Sequence, residues 1–311
     1  HTTVSRGYAV TADVAASVHQ RLLNLARAQG RPFNELLQHY ALERFLYRLG
    51  QSTYADRFVL KGALMLMVSQ GPRSRPTRDI DLLGRMDNSV EALVATVGAI
   101  CRQSVAEADG LVFDAEAVQG EPIVEAAQYP GVSLRFWAAL GRARVRMTID
   151  VGFGDIVIPS PEWVQLPALL ESAPPLLLGY SRESAIAEKL QAMVRLSEVN
   201  SRMKDLYDIW SLASAFAFDG AILARAIRET FRQRGTVFRP DTLALSPAFA
   251  QLPEKRGQWE AFLRRLTLEH QALSLTAAID LLRSFLHPVM TALLDEAAFD
   301  RSWAPGGPWR S

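Results

Sequence analysis

The chain has very little cysteine, since Cys101 is the only one among its 311 residues. One thiol excludes a disulfide framework and a zinc site built from several cysteines, and it favours a reducing compartment such as the cytoplasm. Long apolar runs are also scarce. The run at residues 58–68 is interrupted by Lys61 and is shorter than the ~20 residues that cross a bilayer. The sequence therefore predicts neither a disulfide-stabilised secreted domain nor a membrane partner.

The chain as a whole has no excess charge of either sign. It contains 34 Lys and Arg and 33 Asp and Glu, for a net charge of +1. Hydrophobic residues make up 49% of the sequence, which excludes a disordered or fibrous chain. Residues 221–240 nevertheless contain five arginines and a single acidic residue, Glu229. Arg225, Arg228 and Arg232 follow helical spacing there, and this arginine stripe either contacts the phosphates of an RNA or faces water.

The hydrophobic pattern divides the chain into two parts. Before about residue 165, segments with helical spacing are followed by segments that alternate like strands, including a hairpin that turns at Gly141. The proline-rich stretch 159–175 is expected to contain no more than a short helix, and almost everything beyond Ser181 has helical periodicity. We expect an α+β fold with an N-terminal domain, residues 1–165, and an all-helical C-terminal domain, residues 166–311.

Two acidic residues stand at alternate positions of a predicted strand, Asp79-Ile80-Asp81. Because side chains alternate between the two faces of a strand, both carboxylates lie on one face and Ile80 points into the core. Neighbouring carboxylates repel each other unless a cation lies between them, and oxygen ligands favour Mg²⁺ or Mn²⁺ over zinc. The alternative is an exposed strand whose carboxylates pair with arginines such as Arg78 and Arg85.

A short strand, a glycine and a helix precede the two aspartates. The helix that begins at Gly62 offers free backbone N–H groups and the positive end of its dipole, both of which bind phosphate. Lys61 adds a positive charge, although a lysine at a strand end can also simply extend into solvent. Together with the carboxylate pair, this arrangement predicts metal-assisted phosphoryl or nucleotidyl transfer, with Asp79 and Asp81 as metal ligands.

A third carboxylate is expected, because two metal ions need more ligands than two side chains supply and the attacking hydroxyl needs a base. In the predicted strand 144–151 the apolar residues form one face, which leaves Asp150 on the other. Asp150 is the preferred third ligand. Asp155, which follows a glycine turn, is the alternative.

This order of elements resembles the core of polymerase-β-like nucleotidyltransferases, a mixed sheet with flanking helices. Four strings between residues 33 and 215 resemble the AbiEii/AbiGii nucleotidyltransferase toxins of type IV toxin–antitoxin systems, which are related to the MenT toxins. These strings are ALERFLYRL (41–49), FVLKGA (58–63), RPTRDIDLL (75–83) and KDLYD (204–208). Their order makes the resemblance more specific than any one of them alone.

The resemblance implies an enzyme that transfers an NMP from an NTP to an RNA acceptor, with the 3′ end of a tRNA expected, and that a cognate antitoxin neutralises. It implies a C-terminal domain that completes the nucleotide cleft and offers a surface to the acceptor. The residues that it assigns to nucleotide binding are Lys61, Gly62, Ala63, Thr77, Arg78, Lys189, Lys204 and Asp205, of which Thr77 could equally cap a turn.

One position departs from the family pattern, and two other functions remain open. The family usually has Gly-Gly or Gly-Ser at the helix start, whereas Ala63 here lacks a hydroxyl and offers phosphate only its backbone N–H. The same chemistry could act on a protein hydroxyl or on a small molecule such as an antibiotic. A non-catalytic nucleotide- or RNA-binding module is the other alternative, although it would have no use for paired carboxylates.

Overall fold

The computed structural model of the protein describes residues 2–70, 76–123, 131–197, 201–239, 241–266 and 272–311. The chain forms two compact units. The first runs to Gly154 and includes Glu162–Gly179, and the second comprises Asp155–Pro161 and all residues from Tyr180 onward. The expected single boundary at residue 165 differs from this division, because Glu162–Gly179 contributes two strands to the sheet of the first unit.

In the part of the chain that the structure describes, the first unit contains all its α-helices before residue 102 and mostly strands after it, as the hydrophobic pattern predicts. Its helices are α1 (Thr2–Gln29), α2 (Phe33–Gln51), α3 (Gly62–Gln70) and α4 (Val90–Cys101). The hydroxyl of Ser89 caps α4 by accepting a hydrogen bond from the backbone N–H of Ala92. Its strands are β1 (Phe58–Lys61), β2 (Asp79–Gly84), β3 (Leu111–Phe113), β4 (Gln119–Pro122), β5 (Gly131–Leu140), β6 (Ala143–Phe153), β7 (Glu162–Gln165) and β8 (Leu176–Gly179).

In the described residues these strands form one mixed sheet in the order β3-β5-β6-β2-β1-β8-β7, with β4 paired to β5. β2 pairs with β6 and β1 with β8 in parallel, and the remaining pairs are antiparallel. The predicted hairpin joins β5 to β6, and Gly141 adopts a φ of 59° in its turn. The α+β fold class is therefore confirmed.

The core of the first unit lies on one face of this sheet. Alternate residues of the central strands, such as Leu60, Ile80 and Ile149, point to this face and are buried there with the apolar side of α2. The rings of Phe45 in α2 and Phe136 in β5 lie 5.5 Å apart between centroids. The residues that alternate with them on β5 and β6 point to the opposite face, where several are exposed.

The sequence did not predict β7, which lies in the proline-rich stretch, or β8, which begins directly after it. The two strands pair with each other, and β8 also pairs with β1, with Leu178 opposite Val59. Pro167, Pro174 and Pro175 fall between the strands instead of within them, so that no proline interrupts the hydrogen bonds of either strand. Proline content therefore misled the prediction in this stretch.

The described part of the second unit is mostly helical, as predicted. Its helices are α5 (Arg182–Leu196), α6 (Met203–Ala215), α7 (Gly220–Gln233), α8 (Pro247–Gln251), α9 (Pro253–Leu263) and α10 (Leu275–Leu294). A small antiparallel sheet adds to them, formed by β9 (Phe218–Asp219), β10 (Ser302–Trp303) and β11 (Trp309–Arg310). Strands of two residues carry no periodicity, so the all-helical expectation missed them.

Among the described residues, α10 is the one helix whose length and apolar composition would allow it to cross a membrane. Of its most apolar window, 44% is buried inside the protein. Phe285 lies within an aromatic cluster, with its ring centroid 4.8 Å from that of Trp303 and 5.6 Å from that of Trp309. This packing is typical of a core helix.

Candidate active site

The predicted phosphate site forms where β1 ends and α3 begins. Lys61 is the last residue of β1, and Gly62 opens α3 with a φ of 66°. A Cβ atom at Gly62 would overlap with Oδ2 of Asp81 and would lie 2.8 Å from its Cγ and 2.9 Å from its Cβ. Only glycine therefore fits both this backbone conformation and the close approach of the Asp81 side chain to the start of the helix.

Strand register brings three of the predicted residues into one row. Asp81 on β2 lies opposite Lys61 on β1 and is in register with Asp150 on β6. Residues in register on adjacent strands point to the same face, and adjacent strands are about 4.8 Å apart. Asp150, the preferred third carboxylate, is thus the direct neighbour of Asp81. Asp79 lies two residues earlier on the same face and is in register with Thr148.

These carboxylates offer the donor chemistry of a divalent-cation site at adjoining positions of the sheet. Asp81 and Asp150 are half-buried and Asp79 is exposed, so that the row is accessible from solvent. Carboxylate oxygens are the ligands that Mg²⁺ and Mn²⁺ prefer. Within the described ranges, however, no group of three or more His, Cys, Asp or Glu side chains is arranged to hold a metal ion. The three carboxylates therefore occupy adjoining positions of the sheet, and their side chains do not form a closed coordination shell.

The remaining residues near the start of β2 and α3 differ in what they can offer a phosphate. The Thr77 hydroxyl donates to the carbonyl of Asp79 at 3.2 Å and accepts from its N–H at 3.4 Å, which is the turn-capping alternative. Arg78 is exposed, and its carbonyl accepts a hydrogen bond from Nε2 of Gln38 at 3.2 Å. The side chain of Ala63 is buried, so only its backbone could contact a ligand. Residues 71–75 lie outside the described residues, and with them Arg75, the first residue of the third string.

In the second unit, Lys189 and Asp205 contact each other directly. The Lys189 ammonium donates to Oδ1 of Asp205 at 3.0 Å and to Oδ2 of Asp208 at 2.8 Å, and Arg202 pairs with Oδ2 of Asp205 at 2.8 Å. Both aspartates are buried, so these ion pairs compensate charges that water does not reach. Lys204 is exposed and does not belong to this cluster. The spacing of Asp205 and Asp208 by three residues is the sequence signal that both share a helix face.

Asp155, the alternative third carboxylate, belongs to another cluster of the second unit. Arg234 donates to Oδ1 of Asp155 at 2.8 Å and to Oε1 of Gln191 at 3.0 Å. The Tyr180 hydroxyl donates to Glu188, and burial together with the negative charge of Glu188 holds the pKa of Tyr180 well above its ordinary value. Asp155 is thus paired with an arginine, whereas Asp150 lies beside Asp81. No local pattern in the sequence indicated the role of Arg234.

The arginine stripe lies on the exposed side of α7. Arg225, Arg228 and Arg232 are exposed, and the opposite side of the helix is buried. Arg232 pairs with Glu229, with 2.6 Å between Nη2 and Oε2, which reduces the net charge of the stripe. Arg234, counted in the same basic run, is drawn into the cluster with Asp155 and is not part of this surface.

Comparison with known proteins identifies one family and two similar structures. The family model described as nucleotidyl transferase AbiEii toxin, type IV TA system, matches residues 44–287. The crystal structure of a proposed nucleotidyltransferase from H. pylori aligns over 85% of this chain and 98% of its own, with 14% identity and a TM-score of 0.46. That of JHP933 from Helicobacter pylori aligns over 81% and 94%, with 15% identity and a TM-score of 0.43. No match was found among curated proteins.

Proposed function

The chain belongs to the AbiEii family of nucleotidyltransferase toxins of type IV toxin–antitoxin systems, and from this premise we propose that it transfers an NMP from an NTP to an RNA acceptor. Nucleotidyltransferases of this kind use NTPs and divalent metal ions, and the toxin–antitoxin system supplies an antitoxin as partner. The specific acceptor that we propose is the 3′ end of a tRNA, with the reaction taking place in the cytoplasm.

The observation that supports this proposal most is the row formed by Lys61, Asp81 and Asp150 on three adjacent strands. The row lies next to the helix that starts at Gly62. Its cationic side chain can bind an anionic triphosphate, and its two carboxylates can bind a cation. The missing side chain of Gly62 leaves room for the Asp81 carboxylate directly at the helix start.

We assign roles to the residues of the first unit accordingly. Asp79, Asp81 and Asp150 would hold Mg²⁺ or Mn²⁺, which would polarise the phosphoryl oxygens and neutralise the charge that develops on them. Lys61 and the backbone N–H groups of Gly62 and Ala63 would bind the triphosphate. Thr77 and Arg78 flank the start of β2, and of these two the exposed Arg78 is better able to reach a phosphate.

The second unit offers one accessible cation among its three proposed nucleotide-binding residues. Lys204 is exposed and would contact the nucleotide directly. Lys189 and Asp205 are held in their buried cluster, so their contribution would be to fix the conformation of α5 and α6 around Lys204. Arg225 and Arg228 remain candidates for contact with the RNA backbone.

The proposed reaction balances without any further reactant. The acceptor hydroxyl oxygen attacks the α-phosphorus of the NTP, and the bond from that phosphorus to the oxygen bridging to the β-phosphate breaks. Pyrophosphate leaves, and the hydroxyl proton passes to a carboxylate. Asp150, half-buried beside Asp81, is the residue that we propose as this base.

The test is transfer of label from each α-labelled NTP to total RNA in the presence of Mg²⁺. We expect Asp81→Asn and Asp150→Asn each to reduce transfer by more than tenfold while the protein still unfolds cooperatively in urea, because asparagine has the size of aspartate and both side chains are only half-buried. Asp56→Asn, at a side chain that is 72% exposed, is the matched control and should transfer normally.

Transfer within tenfold of the wild type in either site variant would contradict the assignment of that residue. Label on protein or on a small molecule, with no label on RNA, would support nucleotidyl transfer and contradict RNA as its acceptor. A wild-type protein that binds NTP but never releases pyrophosphate would contradict the proposed activity altogether.

A further inference from the structure

The outward face of the β5–β6 hairpin carries an aromatic residue among arginines. Trp137 on β5 is 40% exposed, and Arg144 and Arg146 on β6 are also exposed. Arg135 lies on the same face of β5, where it pairs with Glu121 of β4. The core side chains of these strands, such as Phe136 and Met147, are on the inner face, so the packing of the core does not account for the tryptophan. Val112 of β3, which is 66% exposed, lies beside Ala139 of β5 on the outward face.

Register places Trp137 at the centre of this surface. It lies directly opposite Arg146, and the guanidinium carbon of Arg144 lies 4.9 Å from the centre of a Trp137 ring. Side chains directly opposite each other on antiparallel strands are within contact distance. The indole and two guanidinium groups thus form one continuous patch, which we call the Trp137 patch.

The Trp137 patch lies on the same face of β6 as Asp150. Asp150, Thr148, Arg146 and Arg144 follow one another at every second position, so all four side chains point to one side of the strand. At about 3.3 Å per residue, Arg146 lies about 13 Å and Arg144 about 20 Å from Asp150 along β6. The patch therefore leads away from the carboxylate row along a single strand.

We propose that the Trp137 patch binds the single-stranded segment that precedes the 3′ end of the RNA acceptor, with a base stacked on the part of the Trp137 indole that Arg144 does not cover and phosphates bound by Arg144 and Arg146. This inference rests on the proposed function, because the acceptor hydroxyl must arrive at Asp150. The 13 to 20 Å along β6 corresponds to about four to six nucleotides stacked at ~3.4 Å each. Aromatic rings among basic side chains are the usual platform for unpaired bases.

Charge favours a nucleic acid over a protein partner on this surface. A protein interface would need an apolar centre from which charged residues are depleted. Here Trp137 is flanked by two exposed arginines, and its apolar neighbours on this face, Ala139 and Val112, are small aliphatic side chains. The Trp137 patch and Asp150 lie along the same strand, β6. This continuity favours the RNA acceptor over the antitoxin as the molecule that binds the patch.

The probe is a fluorescein-labelled 12-nucleotide single-stranded RNA with a free 3′ hydroxyl, whose affinity is measured by anisotropy at several salt concentrations. We expect Trp137→Ala to weaken binding by about tenfold or more, within the range for loss of one stacked base, and Trp137→Phe to restore most of it. The double variant Arg144→Gln/Arg146→Gln should flatten the slope of log affinity against log salt by roughly 1.4, because each single-strand phosphate contact contributes about 0.7.

Matched controls separate this surface from others. Trp163→Ala removes a tryptophan that is 51% exposed on β7, at the opposite edge of the sheet, and should bind the probe normally. The triple variant Arg225→Gln/Arg228→Gln/Arg232→Gln tests the arginine stripe with the same probe. Calorimetric NTP affinity should be unchanged in all Trp137 patch variants, because none of them alters the carboxylate row.

The result that would overturn the inference is wild-type RNA affinity and salt slope in both Trp137→Ala and the Arg144/Arg146 variant. Loss of affinity in the stripe variant alone would overturn it equally, as would Trp137 patch variants that bind RNA normally and lose only the antitoxin. The binding assay tests the Trp137 patch separately from the proposed function, because it measures RNA binding without transfer. Loss of RNA binding in Trp137→Ala would support the patch even if the wild type labelled no RNA.

Discussion

Replacement of Gly62 by alanine is expected to damage the candidate active site much more than the fold. The new Cβ would overlap with Oδ2 of Asp81, so the carboxylate must leave the start of α3. The contact at 2.9 Å with the Asp81 Cβ involves an atom fixed by the strand, and rotation of the side chain alone cannot relieve it. We therefore expect Asp81 to shift and β1 and β2 to adjust locally.

Two contributions to the unfolding free energy can be separated. A residue other than glycine at a φ of 66° loses about 1 to 2 kcal/mol through left-handed backbone strain. Gly30→Ala measures this contribution alone, because Gly30 has a φ of 63° and no neighbouring atom lies within 4 Å of the position that a Cβ would take there. Gly62→Ala should lose the same amount plus the energy of displacing Asp81, for a total of roughly 2 to 4 kcal/mol.

The assay combines urea unfolding with label transfer to RNA. We expect Gly30→Ala to be destabilised but active under native conditions, and Gly62→Ala to lose more than tenfold in transfer while it remains folded. In an Asp81→Ala background the overlap with the carboxylate is gone while the contact with the Cβ of residue 81 remains, so the extra destabilisation by Gly62→Ala should become smaller without disappearing. Equal destabilisation of the two single variants together with full transfer by Gly62→Ala would refute this reasoning.

Two further predictions concern buried charges. Burial and the neighbouring Arg31 lower the pKa of His39 to about 4. Between pH 6.5 and 4 the unfolded chain therefore binds a proton at this histidine that the folded protein does not bind. The free energy of unfolding should fall by roughly 2 to 3 kcal/mol as the pH drops from 7 to about 4.5. Measured by urea unfolding, this pH-dependent loss of stability should be smaller for His39→Gln than for the wild type or His19→Gln. Equal losses in all three proteins would contradict the role of His39. Lys189→Met removes the partner of two buried carboxylates and should lower stability by about 3 kcal/mol, against no more than ~0.5 for Lys204→Met. A thermal melt of Lys189→Met that matches the wild type would show that its ion pairs are dispensable.

Local patterns in the sequence predicted most of the individual elements. The helical spacing of Arg225, Arg228 and Arg232 correctly places them on one side of a helix, and the alternation along β6 correctly assigns its apolar residues to the core. Asp79 and Asp81 share a face because a strand repeats every two residues, whatever its neighbours are. These properties depend on residues a few positions apart, which the sequence displays directly.

Pairing between distant segments was decided by the tertiary structure. Nothing local to Asp150 indicates that β6 runs parallel to β2 in the register that sets it beside Asp81. Nor does the sequence near Lys189 show that two aspartates of the next helix enclose its ammonium group, or that Arg234 turns inward to Asp155. Such contacts depend on which buried surfaces and charges find partners across the whole chain, and only the folded molecule determines them.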